Sequence, residues 1–254
     1  MHPVLLKIGL FHIYSYGVMV ALGFAVATFC IYRRAPKFNL ERDKVIDVVI
    51  IMLVTGIIGA RTLYVLLNLD YYHAHPYEIL NLSKGGLVWY GAFIPALLAS
   101  MLYAWRERIK FWPASDLVAP YIALAQSFGR IGCFLNGCCY GVAAPPGYPL
   151  AVTFSHDCVT RHPAQIYSAV ALFIIFIILL KWQEREHCEG EIFLGYLVLY
   201  PGKRFFMEFL RGDNPKILFG LTFSQYVSLL VLSASLIMLI KRAVRWKKRL
   251  IHSK

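Results

Sequence analysis

Four basic residues, Arg61, Arg130, Lys203 and Arg204, lie within or at the edges of apolar stretches long enough to cross a membrane. A charge near the bilayer centre costs about 2.5–3.5 kcal/mol on insertion scales, so such residues usually face a cavity or a partner. The planar guanidinium group is suited to bidentate phosphate binding. The arginines therefore predict a site for the phosphate of a phospholipid. For Arg61, snorkelling or pairing with a carboxylate is an open alternative.

Tyr200, Arg204 and Glu208 recur at intervals of four residues, so they form a stripe along one face of a helix. Arg204 and Glu208 can pair, which lowers the cost of inserting both charges. The stripe fits either a structural ion pair or a phosphate-binding arginine held by a carboxylate. Tyr16 and Tyr90 are expected at a similar depth, where the alternative role is membership of the interfacial aromatic belt.

The segment GRIGCFLNGCCYG at residues 129–141 combines Arg130 with four glycines and Asn136. Glycines such as Gly141 let backbones approach closely and let the chain turn at the membrane surface. Asn136 supplies both a donor and an acceptor. This combination at one helix end favours a binding site over a generic membrane helix.

Three of the six cysteines, Cys133, Cys138 and Cys139, lie in this segment, and Cys158 follows. Cysteine with nearby histidine can indicate a metal site, but the adjacent pair departs from the usual C-x₂₋₄-C spacing. We therefore expect no metal ion and no cofactor. A disulfide from Cys138 or Cys139 to Cys158 is favoured over a metal on an oxidising face. Free, packed cysteines are an equal alternative.

The elements that must position these residues are apolar helices. Hydrophobic residues make up 59% of the 254 residues and charged ones 16%, against about 45–50% and about 25% in soluble domains, which excludes a soluble enzyme. Roughly 20 apolar residues cross a bilayer, and seven stretches qualify, at about 13–32, 45–67, 87–105, 113–133, 164–180, 191–209 and 222–240. We predict an all-α polytopic membrane protein with seven transmembrane helices. It forms one domain over residues 1–254, with an outer loop at about 134–163.

The distribution of positive charge predicts the orientation. One set of alternate loops holds 17 Lys and Arg and the other holds 5, so the richer set faces the cytoplasm. The N-terminus is then outside and the C-terminus inside, and Arg61, Arg130 and Arg204 all lie toward the outer leaflet. The net charge of +12 is explained by these loops and by a basic tail at 241–254 beside anionic lipid. No nucleic-acid partner is expected.

These motifs, taken in order, resemble the bacterial prolipoprotein diacylglyceryl transferase family. The glycine-rich segment resembles the family's signature, and YSYGVMVALGF (14–24), GARTLYVLLN (59–68), GGLVWYGAF (85–93), RHPAQIYSA (161–169) and YPGKRFFMEFLRGDN (200–214) extend the likeness over nearly the whole chain. The resemblance implies transfer of the diacylglyceryl group of phosphatidylglycerol to the lipobox cysteine of a preprolipoprotein. The products would be a thioether and glycerol 1-phosphate, and the location a bacterial cytoplasmic (inner) membrane.

The resemblance also implies roles for individual residues. It gives a catalytic set of Arg130, Arg204, Tyr90 and Glu208, and a phosphatidylglycerol-binding set of Arg130, Arg204, Tyr16, Asn136, Gly141, Tyr200 and Arg61. Some family members have His at the position of Tyr90, so the base is open among Tyr90, His162 and Glu208. Asn and Glu are frequent in the family where this chain has Cys133 and Cys138.

A membrane carrier for an anionic solute would use the same arginines and is the alternative function. All three arginines are predicted near one leaflet, which argues against a path through the membrane. A thiol oxidoreductase built on the cysteines would lack a C-x-x-C motif.

Overall fold

The computed structural model describes residues 3–8, 11–80, 86, 88–145, 147–154, 159–211, 215–217 and 219–252; the side chains at 7, 8, 11, 12, 89, 90, 247 and 249–252 lie outside that description. The elements are β1 (Val4–Ile8), β2 (Phe11–Tyr14), α1 (Ser15–Arg34), α2 (Arg42–Leu67), α3 (Leu69–Ala74), α4 (Trp89–Arg106), α5 (Phe111–Asn136), β3 (Val152–Thr153), β4 (Thr160–Arg161), α6 (Ala164–Gln183), α7 (Glu191–Phe209) and α8 (Phe223–His252). The described strands form two antiparallel pairs, β1 with β2 and β3 with β4.

Helices account for most of the described chain, and the predicted class of an all-α polytopic membrane protein is confirmed. Five helical segments are long and apolar enough to cross a membrane, at Ser15–Phe38, Arg42–Leu67, Phe111–Asn136, Ala164–Gln183 and Phe223–Trp246. The two remaining predicted spans coincide with α4 and α7. Lys203, Arg204 and Glu208 lie within α7, and their charges keep this helix out of the apolar group. The count of seven crossings and the orientation stay predictions.

The chain divides into two compact units. The first unit contains residues 1–31 and 115–254, and the second contains residues 32–114. The sequence-based expectation of a single domain over 1–254 stays a prediction.

The core of the first unit is built by α5, α6 and α7. Small and branched side chains meet there, and the fully or nearly fully buried members are Ala119, Ala123, Ile175, Leu179, Ile192 and Tyr196. Small residues on α5 allow its neighbours to approach closely, as is usual for helices that pack in lipid. The helix α8 exposes large apolar side chains such as Leu230 and Ile237, which suits a surface that faces acyl chains.

A cluster of hydrogen bonds around Asp116, called the knot below, joins α5, α6 and α7 at one end of this core. The buried carboxylate of Asp116 accepts the backbone N–H groups of Gly190 at 2.5 Å and Phe193 at 2.8 Å. Both donors belong to the first turn of α7, where helix N–H groups lack partners within the helix. The side chain of Gln183, at the end of α6, donates to the carbonyl of Asp116 at 2.7 Å. One residue of α5 therefore fixes the start of α7 and the end of α6.

Further hydrogen bonds along the core fix the helix directions. Ser127 donates to the carbonyl of Ala169 at 3.1 Å, so α6 runs antiparallel to α5. The Tyr196 hydroxyl donates to Gln126 Oε1 at 3.1 Å. Since Gln126 follows Asp116 along α5 as Tyr196 follows Gly190 along α7, these two helices run in the same direction.

The second unit is organised by α2 and α4. Their backbones meet at Gly59 and Gly91, because a Cβ atom added to either residue would overlap the other's carbonyl oxygen. The N–H of Val88 donates to the carbonyl of Ala60 at 3.2 Å, which ties the residue before α4 to the same level of α2. Glycine is required here by the closeness of the two helices.

Candidate active site

Arg130 lies near the end of α5, in the first unit, and is half-buried. It makes no hydrogen bond or ion pair with any residue that the structure describes. An arginine in this state has all five of its N–H donors available to a ligand. This environment leaves the guanidinium group available to an anion, and anion binding by Arg130 stays a prediction.

Arg204 on α7 has a fixed orientation. Its Nη2 lies 3.1 Å from Glu208 Oε2 and donates to the Ser224 hydroxyl at 3.2 Å. Glu208 is only 3% exposed, and its other oxygen accepts a hydrogen bond from the Thr222 hydroxyl at 2.9 Å. The predicted pairing of Arg204 with Glu208 is thus present, and Glu208 acts as an anchor for the guanidinium group.

Lys203 is a site residue that sequence reasoning did not assign. Its Nζ donates to the hydroxyl of Ser168 at 2.7 Å and lies 5.2 Å from the centre of the Tyr200 ring. The ammonium is also within electrostatic range of Arg130, Arg204 and Arg211. Burying a charge usually requires an opposite charge, yet its described partners are a neutral hydroxyl and an aromatic face. The adjacency of Lys203 to Arg204 was the one signal in the sequence.

Four cations from two helices and one helix end therefore converge, namely Arg130, Lys203, Arg204 and Arg211. Among the described residues, Glu208 is the carboxylate that pairs within this group. Arg130 and Lys203, which pair with no described carboxylate, are suited to an anion such as a phosphate, which arginine and lysine bind through charge-assisted hydrogen bonds.

Helix geometry places Arg130 and Arg204 far along their helices from the Asp116 knot. Fourteen residues separate Asp116 from Arg130 along α5, and fourteen separate Gly190 from Arg204 along α7. Asp116 and Gly190 are hydrogen-bonded to each other, and the two helices run in the same direction. Each arginine therefore lies about 21 Å along its own helix from this hydrogen bond, at 1.5 Å per residue.

Tyr200 lies one turn before Arg204 on α7. Its ring stacks on that of Tyr196 with centroids 5.5 Å apart, and its other partner is the ammonium of Lys203. A cation held against an aromatic face gains about 0.5–2 kcal/mol. Tyr200 therefore positions Lys203, and its hydroxyl makes no hydrogen bond with a described residue.

The glycine-rich segment packs closely against its surroundings, as predicted. A Cβ atom added to Gly141 would lie 2.8 Å from the carbonyl oxygen of Leu210 and 2.9 Å from that of His162. The Gly141 N–H donates to the same His162 carbonyl at 3.0 Å. A residue with a side chain would push this segment away from the ends of α6 and α7, so close packing requires glycine at this position, and the predicted lipid contact of Gly141 stays a prediction.

Tyr16 and Asn136 also belong to this region of the first unit. A Cβ atom on Gly132 would lie 3.3 Å from Tyr16, so the start of α1 packs directly on α5. Tyr16 is 46% exposed and within electrostatic range of Arg130. Asn136 is the last residue of α5, and its amide makes no hydrogen bond with a described residue. Both side chains are available to a ligand.

Arg61 belongs to the second unit, where it is 7% exposed. Its guanidinium group donates to the carbonyls of Ile79 at 2.8 Å, Glu78 at 2.6 Å and Gly86 at 3.2 Å. It thereby holds the segment between α3 and α4 against α2. Three of its donors are used within its own unit, which favours a structural role over the predicted lipid contact, and that contact stays a prediction. Tyr90 is in the same unit at the start of α4, and its side chain lies outside the described residues.

Cys133, Cys138 and Cys139 have their sulfur atoms within 4.8 Å of one another. All three are free thiols in the structure. Cys158, the predicted disulfide partner of Cys138 or Cys139, lies outside the described residues, so this disulfide stays a prediction.

Comparison with known proteins agrees with the motifs. A family model described as prolipoprotein diacylglyceryl transferase matches residues 3–241. The chain belongs to this family. A relative from Clostridium tetani, named phosphatidylglycerol--prolipoprotein diacylglyceryl transferase, is 36% identical over 234 residues, which cover 90% of this chain and 93% of the relative. A relative of the same name from Finegoldia magna is 34% identical over 239 residues, covering 94% and 93%.

A transferase of the prolipoprotein diacylglyceryl transferase family must remove the proton of the substrate thiol. Glu208, His162 and Tyr90 are the three candidate bases in this chain. Glu208 is already engaged by Arg204 and Thr222, so it is better placed to orient Arg204 than to accept a proton. His162 packs edge-on against the Tyr148 ring at 4.6 Å, and its buried Nδ1 has no hydrogen-bond partner among the described residues. The side chain of Tyr90 lies outside the described residues, so its role as a base stays a prediction.

Proposed function

We propose that this chain transfers the diacylglyceryl group of phosphatidylglycerol to the lipobox cysteine of a preprolipoprotein in a bacterial cytoplasmic membrane. The observation that carries the proposal is the convergence of Arg130, Lys203, Arg204 and Arg211 in one unit of a membrane protein. Family membership and the names of its relatives supply the substrate classes. Those relatives are named as transferases, and nothing favours the anion-carrier alternative.

The reaction joins a sulfur to a carbon and releases a phosphate ester. The lipobox thiol loses its proton, and the thiolate attacks C3 of the lipid glycerol. The bond between that carbon and the phosphate oxygen breaks, which yields the thioether and glycerol 1-phosphate. Negative charge grows on the departing phosphate in the transition state, and preorganised cations aimed at that charge lower the barrier.

Each cation has a distinct environment for this task. Arg130 has no partner among the described residues and is therefore free to follow the phosphate. Arg204 is held in place by Glu208 and contributes fixed geometry. Lys203 is bonded to a neutral serine hydroxyl, so no described carboxylate competes with the substrate for it. Because a free cysteine thiol has a pKa of about 8.5, the same positive field also favours the substrate thiolate.

The test uses purified protein in detergent with phosphatidylglycerol and a short peptide that contains a lipobox cysteine. We expect release of glycerol phosphate that depends on the peptide, together with a gain in peptide mass equal to one diacylglyceryl group. Arg130→Ala should remove both signals. Arg185→Ala is the matched control, because Arg185 is exposed and lies beside the Asp116 knot at the opposite end of the core. Equal activity in the two variants would contradict the proposed phosphate site.

A further inference from the structure

The three clustered thiols of Cys133, Cys138 and Cys139 form a donor set that the transferase chemistry above does not use. Their sulfur atoms all lie within 4.8 Å of one another, and each residue is half-buried. Cys30 and Cys188, the other described cysteines, do not belong to the cluster. Three sulfur atoms in one place are a distinctive ligand set, since thiolates select thiophilic cations such as Zn²⁺ and Cu⁺.

The end of α5 explains how residues five and six positions apart meet. Gly137 has a left-handed φ of 74°, its N–H donates to the carbonyl of Phe134, and the N–H of Cys138 donates to the carbonyl of Cys133. This pair of bonds is the Schellman motif, which folds the second residue after a helix back over its last turn. Cys138 is therefore returned to Cys133 by the way the helix ends.

Cys139 completes the cluster through an unusual backbone conformation. Its φ is 61°, in the left-handed region that costs a residue with a Cβ atom about 1–2 kcal/mol. Such conformations concentrate at functional sites. Here the left-handed turn places adjacent cysteines so that both sulfur atoms lie near that of Cys133, which the spacing alone does not suggest.

The separation of the sulfur atoms suits one metal ion. Zinc–sulfur bonds of about 2.3 Å place the sulfur atoms of a tetrahedral site about 3.8 Å apart. Side-chain rotations that move the sulfur atoms by about 1 Å would bring the observed cluster to that spacing. Three protein ligands leave a fourth position for water, as in zinc sites that are not saturated by protein.

The surroundings balance the charge of such a site. Three thiolates around a divalent cation carry one net negative charge, and Arg130 and Arg211 both lie within electrostatic range of Cys139. Thiolate is the form that binds metals.

A buried amide beside the cluster also lacks a partner. Gln165 is 1% exposed, and its Nε2 donates to the carbonyl of Cys138 at 2.7 Å. Its Oε1 has no hydrogen-bond partner among the described residues. A buried acceptor is rarely left unpaired, and a water molecule on the fourth position of an ion would supply a donor here.

We propose that Cys133, Cys138 and Cys139 form a three-thiolate site for a thiophilic divalent cation of the Zn²⁺ class, beside the phosphate-binding arginines. The proposal departs from the expectation of no metal that the cysteine spacing suggested. It concerns binding and is independent of the transferase reaction, so failure of either proposal leaves the other standing.

The experiment uses the full chain, purified in detergent under reducing conditions and carrying Cys30→Ser, Cys158→Ser and Cys188→Ser, so that the three clustered cysteines are the only thiols. Titration with Cd²⁺ should give a thiolate-to-metal charge-transfer band that saturates at one ion per chain. Zn²⁺ should displace Cd²⁺, and binding should release protons because the ligands bind deprotonated.

Single Cys→Ser changes at 133, 138 and 139 provide the controls. Each should weaken binding by at least about 100-fold, since loss of a supporting residue alone costs about 10–100-fold. Each should also reduce the band intensity by about a third. No saturable binding in the parent, or a band that is unchanged in all three variants, would overturn the proposal. Retained circular dichroism in each variant separates loss of binding from loss of fold.

Discussion

Arg130 and Arg204 are expected to respond differently to the same substitution. Arg130 makes no hydrogen bond or ion pair with a described residue, whereas Arg204 is paired with the buried Glu208. Arg130→Ala should therefore reduce activity without reducing stability. Arg204→Ala should reduce both.

The structure gives the size of each effect. Removing Arg204 leaves a carboxylate that is 3% exposed without its counter-ion, and breaking a buried pair costs about 3–5 kcal/mol. Thr222 still donates to Glu208, so we expect the lower end, about 3 kcal/mol. Removing Arg130 loses only the packing of its aliphatic side-chain carbons, which lowers the free energy of unfolding by about 1 kcal/mol or less.

The loss of activity follows from the phosphate contacts. A hydrogen bond to a charged group contributes about 1.5–3 kcal/mol, and a bidentate guanidinium makes two of them. Losing both in the transition state lowers kcat/KM by about 10²–10⁴-fold, at about 1.4 kcal/mol for each factor of ten.

Two measurements check this pair of effects. Glycerol phosphate release gives kcat/KM, and thermal unfolding in detergent gives stability, with Arg185→Ala as the reference. The reasoning is refuted if Arg130→Ala destabilises the protein as much as Arg204→Ala does. It is also refuted if Arg130→Ala keeps kcat/KM within about threefold of the parent, since that is far below the expected loss.

The site and its surroundings support three further predictions. Lys203→Met should raise KM for phosphatidylglycerol by about 10-fold or more in the release assay, because one charge-assisted contact contributes about 1.5–3 kcal/mol. In metal-free protein, iodoacetamide should label Cys139 at mildly acidic to neutral pH, because its pKa is lowered to about 5. Mass spectrometry should find Cys188 unlabelled there, because burial raises its pKa to about 12; equal labelling would contradict both shifts. Gly141→Ala should lower the unfolding temperature and activity, since its Cβ would meet two carbonyl oxygens under 3.0 Å, while Gly129→Ala, with open space around its Cβ, should change neither.

Sequence patterns predicted the helices well where a long apolar run and its helix end together, whereas α8 continues to His252, beyond the predicted end at about 240. The predicted span 191–209 coincides with α7, which begins after Gly190 in a left-handed conformation. The pairing of Arg204 with Glu208 was also predictable, since a spacing of four residues places both on one helix face. In each case, local chain geometry determines the result.

Other features depend on contacts between distant parts of the chain. The hydrogen bonds of Arg61 to the backbone carbonyls of Ile79 and Glu78 are such a case, because no residue type in that segment indicates them. The burial of Lys203 beside Ser168 requires α6 to pack on α7. The meeting of Cys133 with Cys139 depends on a left-handed residue that is not glycine, which sequence alone does not predict.

The hydrogen bond between Asp116 and Gly190 is a fixed point from which positions along α5 and α7 can be counted. Intervals of fourteen residues lead from this bond to Arg130 on α5 and to Arg204 on α7, so the number of residues in each interval fixes how far each arginine lies along its helix. Inserting one residue into either interval would move its arginine by about 1.5 Å and rotate it by about 100° around the helix axis. We therefore expect an insertion in either interval to displace its arginine from the other cations of the site, whereas a substitution that keeps the interval length would not.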